Sequence, residues 1–197
     1  MNTVSNYLSA LREAMKAQGL DALVIPSADP HLSEYLPEHW QARRELSGFT
    51  GSVGTFVVTA DEAGVWVDSR YWEQAAKQLS GSGIELQKSG QVPPYNEWLA
   101  ANLPENAAVG IPSDMVSLTG KRTLAQSLAA KNICIEHPDD LIDHVWSSRP
   151  AIPAETVFLH DPDYVSETTT EKLARVRTVM AEKGADYHLV SSLDDIA

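Results

Sequence analysis

The run "GTFVVTADEAGVWVD", Gly54 to Asp68, sets two β-rich segments on either side of a short polar turn. A connection that short joins neighbouring antiparallel strands, whereas a parallel pair needs a crossover of roughly a dozen residues or more. Elsewhere, down to about Trp146, strand-like runs are separated by helical ones. "DALVIP", "GIELQK", "AAVGI" and "ICIE" read as strands, the first stopped by Pro26. Leu8, Leu11, Met15 and Leu20 recur near helical spacing, and Gly19 suits a left-handed cap. "HWQARREL" reads as a short helix before Gly48, and "SRYWEQAAKQL" as a helix with Asp68 or Ser69 as its N-cap. "PYNEWLAANL", "SLTGKRTLAQSLAAK" and "DDLIDHVW" complete the helical set, the last with an acidic first turn. A hairpin inside such an alternation predicts an α/β fold: a mixed β-sheet flanked by helices.

"SSRPAIPAE" follows, and its prolines place a domain boundary near Arg149–Glu155. The expected first domain is 1–150. Residues 151–197 hold a linker, then an amphipathic helix with Leu173, Val176, Val179 and Met180 on one face and Gly184 as its cap. "DYHLVS" reads as a strand after it. One helix and one strand bury no core of their own, so this part reads as the truncated start of a second, similar α/β domain.

Charge narrows the partners. With 27 acidic and 15 basic residues the net charge is −12. The basic residues are scattered, with pairs only at Arg43-Arg44 and Lys121-Arg122, which excludes a phosphate-tracking surface and so a nucleic-acid binder. No apolar run approaches the roughly 18–20 residues that span a bilayer. "MNTVSNYLSALREAM" lacks the basic-then-apolar order of a secretory leader. The single cysteine, Cys134, admits no internal disulfide and suits a reducing cytoplasm.

Gly48, Gly51 and Gly54 crowd one loop. Phosphate loops run from a strand into a helix N-terminus; this loop runs from a helix into a strand, without Gly-Lys-Ser/Thr or GxGxxG. It reads as a tight connection. His137 and His144, near Asp139, Asp140 and Asp143, form no metal-ligand pattern and read as a solvated acidic helix start. Cys134, inside a strand, reads as a buried small hydrophobe. The five tryptophans read as core or interface anchors, with Trp40 at a loop border.

Several segments together carry a resemblance. "LSGFTGSVGTFVVT" with "GVWVDSRYWEQAAKQL", the opening "LREAMKAQGLDALVIPSADPHLSEYLPEHW", "PYNEWLAANLPENAAVGI" and "DLIDHVWSSRPAIP" are similar, in order and spacing, to the N-terminal part of the creatinase/prolidase-like family. They look most like its three-domain, cytosolic Xaa-Pro aminopeptidase branch. The resemblance implies a non-catalytic domain that shapes substrate access and assembly. The parent would be a homodimer or higher homo-oligomer acting on peptides with proline second. Its catalytic "pita-bread" domain, absent here, would hold two divalent metals, commonly manganese. A prolidase-type dipeptidase, a creatinase-type amidinohydrolase, or an assembly module that has lost catalysis are the other readings.

The resemblance also singles out Arg70. In "WVDSRYW" it matches an arginine that reaches the substrate peptide in the family, although Ser69 stands where the family usually has glycine. A guanidinium can hold a carboxylate or carbonyl through paired donors. The same residue could equally pair with Asp68 or Glu73. His31 and Glu34, on the polar loop after the first strand, are further candidates for facing substrate.

Overall fold

The computed structural model describes residues 3–196. They divide into two compact units, Met1–Ile152 and Pro153–Ala197. In the first, α1 (Thr3–Ala17), β1 (Ala22–Pro26), a 3-10 turn (Glu38–Trp40) and α2 (Ala42–Ser47) lead to β2 (Thr55–Thr59) and β3 (Ala63–Val67). A second 3-10 turn (Ser69–Tyr71), α3 (Trp72–Gln78), β4 (Glu85–Lys88), α4 (Tyr95–Asn102) and β5 (Ala108–Gly110) follow. A third 3-10 turn (Ser113–Met115), α5 (Leu118–Leu128), β6 (Cys134–Glu136) and α6 (Leu141–Val145) close the unit.

The six strands form one sheet in the order β4-β3-β2-β1-β5-β6. β2 runs antiparallel to both β1 and β3; the β1–β5, β3–β4 and β5–β6 pairs are parallel. The sheet is therefore mixed, as the hairpin predicts. The turn is tighter than its sequence suggests: Ala63 and Gly64 already pair with Val58 and Val57, leaving only Ala60–Glu62 outside the strands.

Side chains alternate across the pleat, as a period of two requires. Leu23, Ile25, Phe56, Val58, Val65 and Val67 face one layer with α1, α2, α3 and α6. Ala22, Val24, Val57, Trp66 and Val109 face the other, with α4 and α5. Both faces are covered, so the central strands are apolar on each side. Among the described residues no helix is long and apolar enough to cross a membrane.

The second unit contains α7 (Thr169–Glu182) and α8 (Leu193–Ile196). α7 opens with a reciprocal capping box between Thr168 and Glu171, and Gly184 takes φ +62° just beyond its end. "DYHLVS" is not a strand, against the sequence reading. Strand geometry needs a partner edge, and no other strand lies among the described residues of this unit. The apolar stripe on α7 stays partly open, with Leu173, Val176 and Val179 exposed at 46, 39 and 42%.

Candidate functional site at the carboxyl edge of the sheet

Because β1, β3 and β4 run the same way and β2 runs against them, four connections meet at one edge of the sheet. These are the loop after β1, the glycine loop before β2, the turn after β3 and Ser89–Gly90 after β4. Open α/β sheets bind ligands at this edge, beyond the carboxyl ends of parallel strands. Here a cleft of about 350 Å³ opens between Ser27, Gly54, Asp68, Ser89 and Tyr95.

Arg70 lies in the 3-10 turn after β3. Asp68 caps that turn by accepting the Arg70 backbone N–H at 3.0 Å. The same carboxylate takes the guanidinium in a fork: Nε donates to Oδ1 at 3.0 Å and Nη2 to Oδ2 at 2.8 Å. Of the two ion-pair partners considered from sequence, Asp68 is the one used. The hydrogen bonds from Arg70 hold the Asp68 carboxyl below the usual carboxylate range. The Asp68 bonds in turn raise the Arg70 pKa, and the Glu34 charge adds in the same direction. The Arg70 side chain is 68% exposed, and its Nη1 makes no hydrogen bond among the described residues.

The loop after β1 is organised by Asp29, whose Oδ1 accepts the backbone N–H of both His31 and Ser33 at 2.9 Å. Burial pushes the Asp29 carboxyl up, but these bonds and the His31 charge more than offset it, so its pKa is lowered. The imidazole of His31 and the carboxylate of Glu34 are exposed. The fold thus brings Glu34 into the electrostatic reach of Arg70, while His31 is tied to the edge only through its backbone.

In the sequence Arg43 is only half of a basic pair; in the fold it is 2% exposed. Its Nε donates to Ser27 Oγ at 2.7 Å, Nη1 to the Phe49 carbonyl at 2.6 Å, and Nη2 to the Gly51 carbonyl. Ser27 in turn donates from N and Oγ to the Gly54 carbonyl. Burial lowers the Arg43 pKa to about 10, with Arg44 adding to the effect, so it remains charged at neutral pH. The glycine loop is therefore wrapped around a buried cation, and its carbonyls rather than its amides point at the charge. The signal was present: Ala42, Arg43, Leu46 and Ser47 fall on one side of α2, and all four are buried.

The remaining candidates fall elsewhere. His137 spans Ile111 O (Nδ1, 2.8 Å) and Lys121 Nζ (Nε2, 2.7 Å). An ammonium only donates, so Nε2 accepts and Nδ1 carries the proton. Asp139 accepts from Ser113 N and Oγ, and Asp143 pairs with Arg149 at 2.9 Å. Among the described residues no group of three or more His, Cys, Asp or Glu side chains could hold a metal ion. Cys134 is exposed, not buried. β6 is an edge strand whose outward positions are Cys134 and Glu136, and only Ile135 turns toward the core. Trp66 and Trp146 are core residues, whereas Trp40 is half-buried under the Arg149 guanidinium, 5.3 Å from its ring.

A mixed six-stranded sheet in this order has known counterparts. The family described as "Creatinase/Prolidase N-terminal domain" matches residues 8–143, and a second pattern of the same description matches residues 148–197. The chain belongs to the creatinase/prolidase N-terminal domain family. It is 36% identical to Aminopeptidase P1 of Arabidopsis thaliana over 98% of its own length and 30% of that protein's. It is 35% identical to human Xaa-Pro aminopeptidase 2, over 96% of this chain and 29% of the relative. The crystal structure of X-prolyl aminopeptidase from Caenorhabditis elegans, described as a cytosolic enzyme with a di-nuclear active site, superposes with a TM-score of 0.84. That match has 29% identity and covers 100% of this chain and 34% of the other. The chain thus spans about a third of the length of these three relatives.

Proposed function

We propose that this chain is the amino-terminal portion of a cytosolic Xaa-Pro aminopeptidase: its first domain and the opening of a second. The observation that carries the reading is continuous similarity to aminopeptidase P relatives across both units, not the first domain alone. The parent removes the N-terminal residue from peptides with proline second, and its substrate is a peptide rather than a nucleic acid or a membrane. Its catalytic domain lies in the part of the relatives that this chain does not span, and works as a homodimer or higher homo-oligomer with two divalent metals, manganese being the expected ion. The residues present here do not fit such a centre, since the described residues offer no cluster of metal ligands. No bond-breaking step is assigned to this chain.

The contribution of this domain is to bound the substrate channel, with Arg70 as the contact. Asp68 occupies Nε and Nη2, which fixes the plane of the guanidinium and leaves the Nη1 edge for a carbonyl or carboxylate of the peptide. The test is hydrolysis of Xaa-Pro peptides by the full-length parent with manganese supplied, wild type beside Arg70→Ala. A loss of kcat/KM of about tenfold or more, the worth of one charged hydrogen bond, is expected with folding unchanged. Equal activity removes Arg70 from the substrate site, and no activity in either protein refutes the substrate class.

A further inference from the structure

Arg70 sits on a three-residue 3-10 turn, and such turns have weak hydrogen-bond geometry of their own. Ser69 and Arg70 are exposed, and only Tyr71 is drawn in. Besides the Asp68 cap, the position of the turn depends on what holds Tyr71. Its ring meets Phe49 edge to face, with centroids 5.8 Å apart, and its hydroxyl lies 2.7 Å from Ser52 Oγ. The Arg70 guanidinium rests over the same ring, 5.3 Å from its centre. Phe49 and Ser52 both belong to the glycine loop.

Gly51 lets the two aromatic rings close on the loop. A Cβ there would lie 2.3 Å from Phe49 Cζ and 2.8 Å from Tyr71 Cδ1, which no real side chain tolerates. Thr50 makes a second tie, to the helix that continues the turn: its N–H donates to Gln78 Oε1 at 2.9 Å, and its hydroxyl accepts from Gln74 and Gln78. On its inner side the loop is fixed by Arg43 through the Phe49 and Gly51 carbonyls. Buried charge–carbonyl bonds inside, and side-chain ties to α3 outside, make the loop a rigid strut between the end of β1 and the Arg70 turn.

We propose that the glycine-rich loop is a clasp for this turn, and that Tyr71 and Ser52 are positioning residues that set where Arg70 meets the peptide. The inference rests on the reading of Arg70 given above. It assigns the loop a role in substrate placement beyond that of a tight connection.

The test is a double-mutant cycle in the full-length parent, read as kcat/KM on an Xaa-Pro peptide. Ser52→Ala and Tyr71→Phe each remove the hydroxyl contact while leaving the aromatic packing in place. Each should lower kcat/KM by about three- to tenfold, the range for one hydrogen bond, with the thermal midpoint nearly unchanged. Combined with Arg70→Ala, neither should lower it further, because the clasp acts only through Arg70. Two further variants serve as references: Thr50→Val, which removes the hydroxyl half of the second tie and keeps its backbone bond to Gln78, should give a smaller loss that also vanishes beside Arg70→Ala, and Ser52→Thr, which keeps the hydroxyl, should restore activity. If Arg70→Ala is impaired while Ser52→Ala and Tyr71→Phe are both normal, the clasp is refuted and the Arg70 reading stands. Losses that persist undiminished beside Arg70→Ala also refute it, because they report general loosening of the domain. If Arg70→Ala itself has no effect, the Arg70 reading fails and the clasp falls with it.

Discussion

Replacing Arg43 with methionine removes a buried cation while keeping much of its aliphatic volume. The guanidinium makes three hydrogen bonds, to Ser27 Oγ, Phe49 O and Gly51 O. Bonds from a charged donor are worth about 1.5–3 kcal/mol each, so the set contributes about 6 kcal/mol. Burial of the charge opposes this. The fall of its pKa to about 10 corresponds to about 3 kcal/mol. The balance, about 3 kcal/mol, is the stability that Arg43→Met should lose. In a domain of this size that lowers the thermal midpoint by roughly 6–12 °C. Urea unfolding followed by tryptophan fluorescence measures the shift in midpoint at constant slope.

The pH dependence of that loss is a second signature. A base with a lowered folded pKa is unprotonated in the folded state, but still protonated in the unfolded one, only from about pH 10 up to its unfolded value. Within that window this group makes stability rise with pH; below it the group is charged in both states. The Arg43→Met penalty should therefore be the same at pH 6 and pH 8. A penalty below about 1 kcal/mol, or one that changes across the neutral range, refutes the argument that the glycine loop is organised around this charge.

Lys131 donates from Nζ to the Ala101 and Leu103 carbonyls at the end of α4, so Lys131→Met should lose about 1–2 kcal/mol in the same denaturation assay. The lowered pKa of Asp29 means that its contribution is complete above the unfolded value near 4 and is lost as pH falls through the folded value. Asp29→Ala should thus be less stable at pH 7 and show a shallower loss on acidification, seen in thermal midpoints from pH 7 to pH 3. Cys134 is exposed, yet its thiol pKa is raised by partial burial and by Glu136, so disulfide reagents should modify it in the folded chain more slowly than a free thiol at pH 8. Glu136→Gln should speed that reaction, and an unchanged rate would contradict the electrostatic cause.

The sequence by itself determined the order of elements and the mixed sheet. Those follow from local physics: the short turn between Thr59 and Ala63 forces antiparallel neighbours, Gly19 and Gly48 end helices at positive φ, and Asp68 caps the turn after β3. Arg70 became a candidate through the family resemblance of its segment, and Glu34 through its place on the polar loop after the first strand. Their convergence was not legible, since it depends on which strand ends share an edge, and that is a property of the completed sheet.

The failures have the same origin. "DYHLVS" has strand composition, but a strand exists only where another edge accepts its hydrogen bonds. Cys134 has core composition, but the outer position of β6 left it facing out. Arg43 is one half of a basic pair in the sequence, and the fold closes over it. An arginine carries enough donors to satisfy a loop of inward-facing carbonyls, and only the tertiary structure decides whether those carbonyls arrive. Composition and spacing fix what each segment can do locally; burial and pairing between distant segments decide which of those options is realised.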